Sequence, residues 1–206
     1  DITWMALEEE DGKTYIVELI DKMHKVKGIG VLNPYEMLNE LEIGDSIQLG
    51  HKSFTRLPIG IPELSKSMVR RAQTISAKDA GMMIAKMGIG SGTSVLEAGL
   101  GSGGLSLHIA NVVGQSGTHV TVEPREEHAN VGLENLRRAK ECLNEFPSHH
   151  HINGNIEDVI DQIKSIKSNF DSIILDLPAH KSAIDSVAGL LKTGGRLCCY
   201  CPVTSQ

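Results

Sequence analysis

The 206-residue chain is long enough for one domain of ordinary size with a small appendage. Its 40% apolar and 22% charged fractions are those of a soluble globular protein; no run approaches the roughly 20 apolar residues a membrane span needs, the N-terminus has no basic, apolar, small-residue sequence of a signal peptide, and a start at Asp1 without Met points to trimming. A net charge of -6 argues mildly against a nucleic-acid partner.

Along the chain, TYIVEL (residues 14–19) alternates and is β-branched, IGVLNP (29–34) ends in an Asn-Pro turn, and IGDSIQLG (43–50) reads as a strand after a Gly-Asp turn. These predict a small β-rich N-terminal module over residues 1–62, with Pro58, Gly60 and Pro62 marking a linker, and a second domain over 63–206. Between Ser46 and Lys78, Lys52, Arg56, Lys66, Arg70, Arg71 and Lys78 stand against Glu63 alone, so +5, leaving -11 for the remainder. That asymmetry fits a basic face on an acidic body, and equally an ordinary solvated helix face. Ser76 followed by Asp79 resembles a capping box, and Ala80, Met83, Ile84 and Met87 then recur at helical spacing up to Gly88. The Met residues read as core packing.

From Thr93 the pattern becomes strand, turn, helix, repeated. SVLEAG, THVTVE, HHHIN, DSIILDL and GRLCCYCP are the expected strands. Between them come helices over 105–113, 126–145, 156–166 and 183–191. Strands alternating with helices imply an α/β, Rossmann-like domain with a mostly parallel sheet covered on both faces. Of four cysteines, Cys142, Cys198, Cys199 and Cys201, three crowd into one strand, which reads as reduced thiols in a cytoplasmic protein. Neither that run nor His149-His150-His151 can converge on one ion, because adjacent strand side chains face opposite ways; no metal site is expected.

The turn after the first of these strands, GLGSGG, satisfies G-x-G-x-x-G through Gly99, Gly101 and Gly104. Dinucleotide and S-adenosylmethionine folds both use that spacing, which bares the backbone to a ligand at a helix N-terminus. Glu97, two residues earlier, separates them: a carboxylate is unwelcome beside a pyrophosphate and suits the ammonium of the methionine moiety. Glu123, at the end of the next strand, is placed for ribose hydroxyls in either fold.

Glu97, Gly99, Gly101 and Gly103 meet E-x-G-x-G-x-G, which resembles motif I of class I methyltransferases. RRAQTISAKDAG (Arg70–Gly81), VLEAGLGSGGLSL, the E-x-R-x-x-H of Glu123, Arg125 and His128, LDLP (Leu175–Pro178) and YCPVTSQ (Tyr200–Gln206), with GKTYIVEL and LEIGDSI earlier, resemble the tRNA (adenine-58-N1) methyltransferases in order and spacing. The resemblance implies methyl transfer from S-adenosylmethionine to adenine N1 in the tRNA T-loop, at position 58 or 57, by a cytoplasmic homotetramer. It implies that Ser102, Gly103, Gly104 and Leu105 belong to the cofactor loop. Glu97 and Glu123 also face the cofactor, with His128 nearby, Gln73 in reach and Asn155 on the adenine ring. Asp176 would contact the cofactor and accept a hydrogen bond from the target's N6–H, offsetting the charge that develops on methylation. Tyr200 matches an aromatic beside the site. The competing roles are a turn-capping acid for Asp176 and buried packing for Tyr200.

The chain departs from the family at Ser76-Ala77, where Tyr-Pro is common, and it ends after the fifth strand, so two C-terminal sheet strands are expected to be missing. Three alternatives remain: another class I methyltransferase acting on isoaspartyl residues or a small molecule, a non-catalytic tRNA-binding subunit, and an NAD-dependent oxidoreductase.

Overall fold

The computed structural model describes residues 3–202, so the last four residues of the closing motif lie outside it. The chain divides into two compact units, one of residues up to Met68 with Glu141–Asn144, the other of Val69–Lys140 with the residues from Glu145 onward.

In the first unit, β1 (Trp4–Glu9), β2 (Thr14–Glu18), β5 (Ser46–Leu49) and β6 (Lys52–Leu57) form an antiparallel sheet in the order β2-β1-β6-β5. A separate hairpin joins β3 (His24–Val26) and β4 (Gly30–Leu32). Met5, Leu7, Val17, Leu38 and Phe54 make the core. Two expectations are corrected here. The Asn-Pro turn opens a short helix, α1 (Pro34–Leu38), in which Asn33 Oδ1 accepts from the Glu36 N–H at 3.3 Å. The supposed linker around Gly60 and Pro62 holds another, α2 (Ile61–Lys66), where the Glu63 carboxylate accepts from the Gly60 N–H at 3.0 Å. Proline just inside a helix start loses no hydrogen bond, so residues that punctuate loops also begin helices.

In the second unit, α3 (Ala77–Met87) starts where Ser76 Oγ accepts from the Asp79 N–H and stops at left-handed Gly88. Then follow β7 (Ser94–Ala98), α4 (Gly104–Val113), β8 (Thr118–Glu123), α5 (Glu126–Cys142) and β9 (Ser148–Asn153). The chain continues through α6 (Ile160–Ile166), β10 (Phe170–Leu175), α7 (His180–Val187) and β11 (Leu191–Cys199). All five strands run parallel in the order β11-β10-β7-β8-β9. β7 is wholly buried, and alternate residues feed two cores. Leu96, Val120 and Ile173 pack with Ile163 and Val187 on one face; Val95 and Ile174 pack with Met83, Leu105 and Ile109 on the other.

Some helix limits differ from the pattern. The predicted 156–166 helix is a 3-10 turn at Ile156–Asp158 followed by α6, because buried Val159 leaves helical geometry to enter the core. The helix expected over 183–191 starts earlier, at His180, and tightens to 3-10 over Ala188–Leu190; α5 stops at Cys142. β11 begins at Leu191, paired with Phe170, and Tyr200 falls just past its end. Since β8 lies on one side of β7 and β10 on the other, the strand order reverses beside β7. In open parallel sheets, that reversal leaves a crevice outside the carboxyl ends of the strands.

Candidate active site

A cavity of about 490 Å³ occupies that crevice, lined by residues at the ends of β7, β8, β9 and β10. Gly99, Glu123, Asn155 and Asp176 face it together, joined by Arg125 and Glu157.

Gly99 sits at φ +95°, and a Cβ there would lie 2.1 Å from the Asp176 carbonyl oxygen. Gly103, at φ +83°, backs onto Gly132, and a Cβ on Gly104 would lie 2.7 Å from Thr74 Cβ. At Gly101 nothing stands within 4 Å. The expectation that the bare backbone serves a ligand is therefore narrowed. At three of the four positions the missing side chain makes room for the protein itself, and at Gly101 it leaves open space.

Burial raises the Asp176 pKa, and the charges of Glu97 and Glu123 add to it, partly opposed by Arg125 and His180; the carboxyl is pushed up to about 6. Glu123 is buried, which works against its charge, yet the groups around it hold it below the usual carboxylate range. Its oxygens accept from the Gly101 N–H at 2.9 Å, the Arg125 N–H at 3.1 Å, Arg125 Nε at 2.8 Å and Nη2 at 3.3 Å. Glu97 is not among the residues lining this cavity; Ser106 Oγ of α4 and His119 Nε2 both bond its Oε2.

The loop is fastened from outside. Ser102 Oγ accepts from the Arg71 and Ala72 N–H groups at 2.9 and 3.1 Å, and Asn135 Nδ2 donates to the Ser102 carbonyl at 2.9 Å. This seats the RRAQ segment on the turn and leaves Gln73 exposed beside it. Leu105 is buried in the core against Val95 and Ile109. His128, in the first turn of α5, has a buried Nδ1 without a hydrogen-bond partner. Tyr200 Oη donates to Asp79 Oδ2 at 3.4 Å. None of Gln73, Leu105, His128 and Tyr200 lines the cavity. Arg125 had a sequence signal in E-x-R-x-x-H but no assigned role; Asn135 had none.

Much of the basic stretch is neutralised locally. Lys52 pairs with Glu9, Lys66 with Glu8 and Arg71 with Glu127, while Arg56 donates to the Leu41 carbonyl. Arg70 and Lys78 keep no ion pair among the described residues. The histidine run alternates: His149 and His151 both meet Thr121 Oγ1, at 3.0 and 2.9 Å, and His150 turns to Ser148 Oγ. Burial, then the neighbouring imidazoles, depresses His149 to about 3. Burial pushes the Cys198 and Cys199 thiols up, and neither they nor Cys201 form a disulfide among the described residues. Among the described residues no group of three or more His, Cys, Asp or Glu is placed to hold a metal ion, and no helix is long and apolar enough to cross a membrane.

The profile of the tRNA methyltransferase complex GCD14 subunit family matches residues 54–206. The chain belongs to this family. A relative of this chain, the tRNA (adenine(57)-N(1)/adenine(58)-N(1))-methyltransferase TrmI of Methanocaldococcus jannaschii, is 31% identical over 98% of this chain and 77% of its own length. The tRNA (adenine(58)-N(1))-methyltransferase catalytic subunit TRM61 of Yarrowia lipolytica is 30% identical over 77% of this chain and 41% of its own. Among solved structures, a SAM-dependent O-methyltransferase from Thermotoga maritima superimposes with a TM-score of 0.76 at 25% identity, over 98% of this chain and 72% of the other. Family and fold agree with the class I methyltransferase architecture of the second unit.

Proposed function

We propose that this chain transfers the methyl group of S-adenosylmethionine to N1 of an adenine in the tRNA T-loop, at position 58 or 57. The observation that carries this reading is the convergence of Glu123 and Asp176 on one cavity in a chain of the tRNA methyltransferase family.

The donor set fits the cofactor. Glu97 is a buried carboxylate with no Lys or Arg paired to it among the described residues, which suits an ammonium; Glu123 suits a ribose diol; the open face of Gly101 admits a ligand against the backbone. When bound, S-adenosylmethionine supplies an electrophilic methyl on a sulfonium. Glu97, Glu123 and Asn155 then hold its ammonium, ribose and adenine, while Gly99, Gly101, Ser102, Gly103, Gly104 and Leu105 shape the turn beneath it.

Asp176 accepts a hydrogen bond from N6–H of the target adenine. That orients the ring, and the carboxylate offsets the positive charge an adenine gains when alkylated at N1. Such an adenine lies in folded RNA and must leave its stack to enter the cavity. Tyr200, beyond β11 and hydrogen-bonded to Asp79 of α3, stands outside the cavity lining and takes no step in the transfer. Arg70 and Lys78, without ion pairs among the described residues, supply phosphate contacts. The enzyme works in the cytoplasm as a homo-oligomer, a tetramer by family resemblance.

The test is transfer of labelled methyl from S-adenosylmethionine to an unmodified tRNA transcript, beside one substituted at A58. Label that disappears with the substitution supports the reading. Label that persists on both moves the target elsewhere, and cofactor binding without any transfer to RNA removes tRNA as the substrate.

A further inference from the structure

The acid leading into the glycine turn is held on one side only. Glu97 is 1% exposed, and its hydrogen bonds fall on Oε2, from the Ser106 hydroxyl at 2.7 Å and His119 Nε2 at 2.8 Å. Oε1 receives none among the described residues. His119 stands on the neighbouring strand, in register with Val95, and reaches the carboxylate diagonally; Ser106 descends from the first turn of α4.

The far side of the His119 ring is closed as well. Its Nδ1 is buried without a hydrogen-bond partner among the described residues, and the His149 ring centre lies 5.3 Å away. An imidazolium would bury an unpaired N–H donor at that nitrogen and set a charge beside a second imidazole. The neutral Nε2–H tautomer leaves only a bare acceptor, which costs less. Glu97 Oε2 is therefore held by the Ser106 hydroxyl and by His119 Nε2, which leaves Oε1 open. No Lys or Arg pairs with it among the described residues. A buried carboxylate without a cation is costly, and its field is felt at Asp176. The arrangement waits for a positive charge, and Oε1 is the oxygen left to meet it.

We propose that His119 is a positioning residue for the cofactor: its Nε2–H fixes the Glu97 carboxylate so that Oε1 meets the ammonium of S-adenosylmethionine, without cancelling the charge that attracts it. Lysine or arginine at 119 would pin the carboxylate and neutralise it; an apolar residue would leave it free to turn. The inference rests on the reading above that Glu97 takes the ammonium.

Calorimetry with two ligands tests it. S-adenosylhomocysteine carries the ammonium, whereas 5′-methylthioadenosine shares the adenosine and sulfur but lacks the amino-acid end. His119→Leu is expected to weaken S-adenosylhomocysteine about tenfold and leave methylthioadenosine unchanged, and His119→Gln, whose amide can still donate, recovers most of the loss. Equal weakening of both ligands, or none, overturns the proposal. His119→Asn, polar but too short to reach Oε2, replaces the leucine variant if that chain does not fold, with the same outcomes. Glu97→Gln separates the two failures. If it binds S-adenosylhomocysteine as the unmodified protein does, the reading of Glu97 falls. If it weakens binding while the His119 variants do not, only the positioning role falls.

Discussion

The backbone carbonyl of Asp176 fills the space where Gly99 would carry a side chain, 2.1 Å from an ideal Cβ. The Asp176 N–H donates to the Ala98 carbonyl at 2.9 Å, so the end of β10 and the turn after β7 are locked backbone to backbone. Glycine at 99 is demanded by the sheet before any ligand arrives. Gly99→Ala should cost at least about 2 kcal/mol in urea denaturation, since steric overlap with backbone adds to the penalty of a left-handed φ. Gly101→Ala meets nothing within 4 Å and should cost only about 1 kcal/mol, while weakening S-adenosylhomocysteine more than Gly99's neighbours would suggest. Equal destabilisation by the two substitutions would contradict this division of roles.

Asp176, half-buried and pushed up to about 6, makes two pH predictions. Once protonated it no longer accepts N6–H as a carboxylate, so kcat/KM should fall as pH drops through about 6 in the free enzyme, and Asp176→Asn should lower the rate and abolish that limb. For stability the sign is opposite. The folded state holds this proton more tightly than the unfolded chain does, so the stabilisation is fully present below the ordinary aspartate range and lost as pH rises through about 6. Asp176→Asn should accordingly stabilise the ligand-free protein by roughly 1–2 kcal/mol at pH 8, with the gain gone near pH 3.5. A gain that is the same at both pH values would show that the charge is not the cause.

The parts of this molecule written in local periods were legible. β7 to β11, the glycine turn and the Ser76 cap of α3 each announce themselves within a few residues, and the reversal of strand order then brings Gly99, Glu123, Asn155 and Asp176 to one cavity. What was not legible depends on distant partners. Asn33-Pro34 and Gly60-Pro62 open helices because Leu38 and Leu64, a turn later, find fully buried places. The +5 of the basic stretch shrinks because Glu9 and Glu8 reach Lys52 and Lys66 from 43 and 58 residues away. Charge counted along a sequence cannot register such pairings.

The Glu123–Arg125 pair sets up a competition. Both carboxylate oxygens are fully engaged, and two of their four donors come from a guanidinium whose side chain is 56% exposed. A ribose diol must displace it, and because the guanidinium end lies in solvent its two bonds give way at a cost of about 1 kcal/mol. Arg125→Ala should therefore tighten S-adenosylhomocysteine by about threefold in calorimetry, with Glu123→Gln weakening it. Weaker binding by Arg125→Ala would mean instead that the guanidinium holds Glu123 in its binding geometry.

His149 predicts an acid weakness separate from the active site. Burial, followed by the imidazoles of His119, His151 and His150 and the charge of Lys140, depresses it to about 3, while Thr121 Oγ1 bonds its Nε2 at 3.0 Å. The unfolded chain takes up the proton near pH 6.5, and the folded one resists until about 3. The stabilisation carried by the neutral ring is thus complete above pH 6.5 and drains as pH falls between those values, by up to about 1.4 kcal/mol per pH unit. His149→Gln keeps an amide for Thr121 and cannot titrate. Its urea midpoint should fall less steeply than that of the unmodified protein between pH 6.5 and 4.5. Parallel slopes would place the acid sensitivity elsewhere.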